Sequence, residues 1–263
     1  MAHPHPGGRD NGQVDNTTVD TALGKGLRAL EVLASAGGPV RLSQLADQLG
    51  MQKSSVHRML RTLVDTGFAS QDPVTGLYAA TLKVWELGAA VVGALPIKQA
   101  ATTILQELHR ATSETVSLTV LDGDDVLYLD KIVAARPMGF TTRIGSRVPA
   151  PLTVSGRAML AYEDDARAII ERVAARRGAE TLDVDQVLAD IERSRHDGYI
   201  AGHGRAERGI VGIAAAVPGP DGRAAAGLTV SAPVRRLDDE RQAQIVEALL
   251  VAAAGLGEAI GRG

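Results

Sequence analysis

Cysteine is absent from the sequence. That absence removes disulfides, thiolate metal sites and cysteine nucleophiles together, and it suits a reducing compartment. No uninterrupted apolar run approaches the roughly 18 residues that a membrane span needs. The first twenty residues are polar and turn-rich, without the apolar segment of a signal peptide. The expectation is a cytoplasmic protein with no membrane contact. A basic excess is missing too: 28 Lys and Arg stand against 31 Asp and Glu, a net charge of −3. A general DNA-coating protein would need more positive charge, so any claim on DNA must rest on where the charges sit.

Catalytic signatures are equally scarce. Nothing is spaced like HExxH, a phosphate-binding glycine loop or a dinucleotide fingerprint. Ser155, in Thr-Val-Ser-Gly-Arg, lacks the first glycine of the strained nucleophile elbow. Asp122, Asp124 and Asp125 form a fragment of a calcium loop without its later Gly and Glu ligands, and read as a solvated turn. No catalytic residue, metal or cofactor is expected. The alternative in the enzyme class is a small-molecule hydrolase with an accessory DNA-binding module.

What is present is ample apolar material, 45% of 263 residues, enough for two modest domains with cores. Residues 1–18, with His3 and His5, have no periodicity and read as a disordered tail. Leu23, Leu27, Leu30 and Ala34 recur three to four apart with Leu33 beside them, which predicts an amphipathic helix over 21–36, stopped by Gly37-Gly38-Pro39. Val40–Leu42 suits a short strand. Ser43 is placed to cap a second helix through Leu49, which Gly50 ends. A three-residue turn leads to a third helix from about Ser54 to Thr66. Strands at 68–71 and 77–80 then flank the turn residues 72–76. Helix, short strand, helix, tight turn, helix and hairpin within sixty residues describe a winged helix-turn-helix.

The remainder reads as a largely apolar linker helix over 82–95, a helix over 97–112, and strands at 115–121, 126–133 and 139–148. Helices at 156–176 and 183–197, strands at 210–217 and 224–231, and a last helix over 238–260 follow. Strands and helices mix without regular alternation, which predicts an α+β domain with an antiparallel sheet. The domain reading is tail 1–18, winged helix-turn-helix 19–81, linker helix 82–95 and second domain 96–263. Helices 21–36 and 82–95 carry more apolar surface than so small a module hides, predicting a dimer or a dimer of dimers on a roughly palindromic operator.

The third helix is the most informative stretch. Val56, Met59, Leu60, Leu63 and Val64 form its apolar stripe. Arg58 lies almost opposite, flanked within about 50° by Ser54 and Arg61. Positions 54 to 61 span about 10 Å, compatible with a major groove about 12 Å wide. Arginine makes paired hydrogen bonds to guanine or phosphate, and serines at a helix start suit phosphate or base contacts. The expected DNA-contacting set is Ser43, Lys53, Ser54, Ser55, His57, Arg58 and Arg61, with backbone-amide contacts from Thr75 and Gly76 in the wing.

These segments resemble the IclR family of bacterial transcriptional regulators. The similarity lies in ALGKGLRALEVLA (22–34), LSQLADQLGMQKSSVHRMLRTLVDTGF (42–68), YAATLKVWELG (78–88), RIGSRVPAPLTVSGRAMLAY (143–162) and the closing stretch 197–237, in matching order. The resemblance implies a GAF-like effector domain, dimers or tetramers, and repression or activation controlled by a small metabolite, often an organic acid or aromatic compound. By position it implies effector contacts at Val154, Ser155, Gly156, Thr229 and Ser231. Arg157 stands where many members have Lys. Gly202 and Gly212 stand where some have acidic or Cys ligands, leaving Glu207 as the nearby acid. The residues read by themselves agree: Thr153 and Ser155 open a helix whose free N–H groups suit a carboxylate, and Thr229 and Ser231 share one strand face.

Overall fold

A computed structural model of the chain describes residues 21–135, 142–177, 182–202 and 209–261. Of the strand expected over 139–148, residues 139–141 lie outside the described residues and the described part is strand only from Arg147; Glu207 and the N-terminal tail to residue 20 also lie outside them. The chain divides into two compact units at Gly93–Ala94.

The first unit contains α1 (Ala22–Ser35), α2 (Leu42–Leu49), α3 (Lys53–Asp65), β1 (Ala69–Gln71), β2 (Tyr78–Ala80) and α4 (Leu82–Gly93). Thr21 caps α1, its hydroxyl accepting from the Gly24 amide at 3.1 Å. Ala29 and Leu33 turn inward while Leu23 and Leu27 stay exposed, so the buried face is rotated from the stripe expected in the sequence. The expected strand at Val40–Leu42 reduces to one bridge, Val40 to Tyr78. Leu45, Ala46 and Leu49 of α2 meet Val56 and Leu60 of α3 in the core. Gly50 ends α2 at φ +64°, a left-handed turn that favours glycine. α3 closes with Gly67 N–H donating to Val64 O (2.9 Å) and Phe68 N–H to Leu63 O (2.8 Å), the paired bonds of a Schellman end. β1 and β2 pair antiparallel with Gln71 opposite Tyr78.

The second unit is built on an antiparallel sheet in the order β5-β4-β3-β8-β7-β6. Its strands are β3 (Thr115–Asp122), β4 (Asp125–Ile132), β5 (Arg147–Pro149), β6 (Ile200–Gly202), β7 (Ile210–Pro218) and β8 (Ala224–Pro233). α5 (Pro96–Thr112) and α9 (Asp239–Gly261) cover one face, where Leu105, Leu108, Ile245 and Leu249 pack on Leu118, Ile213, Leu228 and Val230. α9 is long and apolar enough in composition to cross a membrane. Four of its residues (Ile245, Leu249, Ala253 and Leu256) instead join this core. α6 (Val154–Leu160), α7 (Ala166–Arg177) and α8 (Val184–Asp197) belong to the other side.

Two sequence expectations are corrected here. The single helix over 156–176 is two, because α6 ends in i→i+3 bonds (Tyr162 N–H to Met159 O, 3.0 Å) while Arg195 takes the Ala161 carbonyl at 2.8 Å. β6 has no counterpart in the sequence reading: three residues are too few to show a period.

Candidate functional site

α3 presents Lys53, Ser54, His57, Arg58 and Arg61 to solvent, while Ser55 is half-buried. Among the described residues no carboxylate pairs with Arg58, and Arg61 meets Asp65 only at 3.9 Å between two largely exposed side chains. The face opposite the buried Val56 and Leu60 is therefore a cationic surface with free hydrogen-bond donors.

Ser43 is not the cap of α2. Arg41 holds that position, and its backbone N–H donates to the Gln44 side chain at 3.0 Å. Ser43 sits one residue inside the helix, half-buried. The wing departs further from expectation. Asp72 Oδ1 accepts from Val74 N–H (2.9 Å), Thr75 N–H (2.6 Å) and the Thr75 hydroxyl (2.9 Å). Its carbonyl accepts from Gly76 N–H at 2.9 Å. The Thr75 and Gly76 amides expected to face DNA are thus already bonded inside the turn. Those donors, the Thr75 amide first, hold the Asp72 carboxyl below its ordinary pKa.

In the second unit α6 is seated by an unusual approach. A Cβ at Gly156 would overlap the Ala150 carbonyl, so glycine is required there. Thr153 caps the helix, its hydroxyl accepting from Gly156 N–H at 2.8 Å and its carbonyl from Arg157 N–H at 3.1 Å. The helix start expected to offer N–H groups is therefore partly closed by its own cap. Ser155, only 2% exposed, turns to the sheet, where its hydroxyl lies 2.6 Å from that of Thr119. Thr119 donates onward to Gly227 O at 3.1 Å. Val154 and Thr229 converge: a Cβ at Gly212 would lie 2.6 Å from Val154 Cγ2 and 3.7 Å from Thr229 Cγ2.

Thr229 and Ser231 share a strand face as expected, opposite Ser117 and Thr115 of β3. The Thr115 hydroxyl accepts from Ala134 N–H at 3.1 Å. Thr229 is 6% exposed, and among the described residues its Oγ1 is the buried side-chain oxygen without a hydrogen-bond partner. Sequence reasoning missed the hydroxyls of β3. The alternation Thr115, Ser117, Thr119 in TVSLTV was the available signal.

Arg157 anchors the region rather than facing a ligand. Its Nε donates to Pro151 O at 2.8 Å and its guanidinium pairs with Asp190, which also binds Arg193 and accepts from Gln186 at 2.8 Å. Burial alone would raise the Asp190 pKa. The bonds from Gln186, Arg193 and Arg157 outweigh it and hold the carboxyl below its ordinary value. Asp124, expected in a solvated turn, is buried and bound by Arg172 (2.8 Å) and Arg176 (2.6 Å). Among the described residues no group of three potential metal ligands occurs.

A winged helix-turn-helix followed by a separate α+β unit with a hydroxyl-lined sheet face defines a DNA-binding regulator with an effector domain. Residues 22–73 match the model of the IclR helix-turn-helix domain and residues 89–257 that of the bacterial transcriptional regulator IclR C-terminal domain. The chain belongs to the IclR family of bacterial transcriptional regulators. It is 31% identical over 226 residues to the HTH-type transcriptional regulator KdgR of Escherichia coli, covering 84% of this chain and 86% of that one. It is 29% identical over 241 residues to the regulator XynR of the same organism, covering 90% and 96%. In fold it is similar to an IclR homolog from Microbacterium hydrocarbonoxydans, with a TM-score of 0.78, 22% identity and coverage of 92% and 100%.

Proposed function

We propose that the chain binds a roughly palindromic operator as a dimer or a dimer of dimers, and that a small organic acid or aromatic metabolite modulates that binding. Residues 19–81 read DNA through Lys53, Ser54, Ser55, His57, Arg58 and Arg61, with Ser43 beside them. Residues 82–95 link, and residues 96–263 hold the metabolite in the cytoplasm. The effector lies against Thr153–Gly156, Thr229 and Ser231, joined by Ser117 from β3. The observation that carries this reading is the buried Thr229 hydroxyl, which has no hydrogen-bond partner among the described residues. Leaving such a group unsatisfied costs about 1–3 kcal/mol, so a ligand that supplies the missing hydrogen bond gains affinity there. The Microbacterium homolog was crystallised with 4-hydroxybenzoate, a molecule of this chemical class. Self-association is supported by exposed apolar side chains on α1 (Leu23, Leu27) and α4 (Leu82, Trp85, Leu87, Val91). No catalytic step is assigned, since the partner of Ser155 is a threonine hydroxyl and not a base.

The test combines fluorescence anisotropy on DNA upstream of the protein's own gene with a thermal-shift screen of small carboxylates and phenols. Sequence-specific binding is expected, weakened or strengthened by any compound that raises the melting temperature. Binding indifferent to every stabilising compound would overturn the modulation. A monomer by light scattering, with and without DNA, would overturn the assembly.

A further inference from the structure

The joint between α3 and α4 is held by two side chains of α4's leading edge. Lys83 Nζ donates to Thr66 O at 2.8 Å, at the C-terminal end of α3, and lies 4.6 Å from the centroid of the Phe68 ring. An ammonium there meets the negative end of the helix dipole and an aromatic face at once. Two residues earlier, the Thr81 hydroxyl donates to Gly67 O at 2.6 Å and the Thr81 amide to Phe68 O at 3.0 Å. The carbonyls of three successive residues that terminate α3 are thus all bonded to Thr81 and Lys83.

The geometry points to Lys83 as a positioning residue for DNA reading: it fixes the recognition helix to α4, so that a movement of either helix is imposed on the other. This rests on α3 being the element that reads DNA. From Thr66 to Ser54 the helix runs about 18 Å, so a tilt of about 10° at the latch displaces Ser54 by about 3 Å. A hydrogen bond to a base tolerates only a few tenths of an ångström. The chain continues from α4 into the effector unit, so a latch at this point carries metabolite occupancy to the groove-facing residues and, by reciprocity, DNA occupancy back to α4.

The protein contains its own reporter. Trp85, the sole tryptophan, lies on α4 two residues beyond Lys83 and is 67% exposed. The full-length wild type is used to select a duplex from random-sequence DNA, and Trp85 emission is then followed on titration with that duplex. The wild type is expected to shift at saturation. Lys83→Met, which keeps the stem and loses the ammonium, should still bind at higher duplex concentration but lose the shift, and Lys83→Arg should restore most of it. Thr81→Val, which releases the neighbouring bond, should weaken the shift and provides the same readout if Lys83→Met does not fold. A full shift at saturation in Lys83→Met, or in Thr81→Val where that stands in, overturns the latch, as does a wild type whose Trp85 ignores bound DNA. Failure to select any duplex would instead overturn DNA reading by α3, and the latch with it.

Discussion

The two units use arginine in opposite ways. In the DNA-reading unit Arg58 is exposed, with no carboxylate partner among the described residues, and Arg61 has only a loose contact with Asp65. In the effector unit Arg157 and Arg193 hold Asp190, Arg172 and Arg176 hold Asp124, Arg223 holds Glu163, and Arg236 holds Glu114. All four carboxylates are buried. A buried carboxylate stays ionised only with such partners, so these arginines are committed to the fold. Arg58, without such a partner among the described residues, carries no such commitment. That contrast shows how a chain of net charge −3 can still present a cationic surface on α3, the face proposed above to read DNA.

The contrast can be broken from its rigid side first. Gly156→Ala sets a methyl group into the Ala150 carbonyl, and the largest loss is expected here, at least about 3 kcal/mol of stability in the effector unit. Denaturant unfolding followed by Trp85 emission and by circular dichroism separates the units. If both transitions move equally, the two units are one cooperative body.

Next comes Asp190→Ala, which leaves Arg157 and Arg193 without their carboxylate and should cost about 3 kcal/mol. The pH dependence has a definite sign. Because the Asp190 pKa is depressed in the fold, its contribution is fully present above the unfolded value, about 3.9, and disappears as the pH falls through the folded one. Wild type and variant should therefore begin to converge in stability as the pH falls below about 4 and meet only once it is below the depressed folded value. A gap that persists in strong acid would mean that packing, not charge, holds α6 to α8.

Arg58→Ala probes the other side of the contrast. Operator affinity should fall by about 1–3 kcal/mol with the melting temperature unchanged. Equal affinity in a folded variant would remove Arg58 from the reading face.

Much of this arrangement was legible in the sequence, for reasons that also mark where it failed. The α3 stripe was readable because Val56 and Leu60 are buried by near neighbours in the chain, and periodicity reports such burial directly. The buried face of α1 is rotated from the expected stripe, since Leu23 and Leu27 are as apolar as core residues and nothing local distinguishes an exposed apolar face from one turned inward. The wing amides were misassigned because Asp72 competes for them through a local turn. In the effector unit the loop and closing strand came through the family resemblance and the i, i+2 rule. The partners that decide their chemistry did not. Thr119 is 36 residues from Ser155, and Asp190 is 33 from Arg157. Pairings at that separation are set by sheet register and helix seating, which no local pattern encodes.

The smallest expected effect falls at a buried polar group of the effector unit that has no hydrogen-bond partner among the described residues. Thr229→Val keeps the shape and exchanges the hydroxyl for a methyl group. In the ligand-free protein it should be neutral or stabilising by up to about 1 kcal/mol, because the wild-type oxygen is buried without a hydrogen bond. DNA affinity without metabolite should not change, since Thr229 lies in the effector unit and the Lys83 joint is untouched. The metabolite response, in contrast, should weaken or vanish, because the group that the ligand satisfies is gone. Denaturant unfolding measures the first effect and anisotropy with a stabilising compound the other two. Destabilisation by more than about 1 kcal/mol would mean that the hydroxyl has a partner in solution, such as a bound water. A full metabolite response in the variant would move the effector away from this strand.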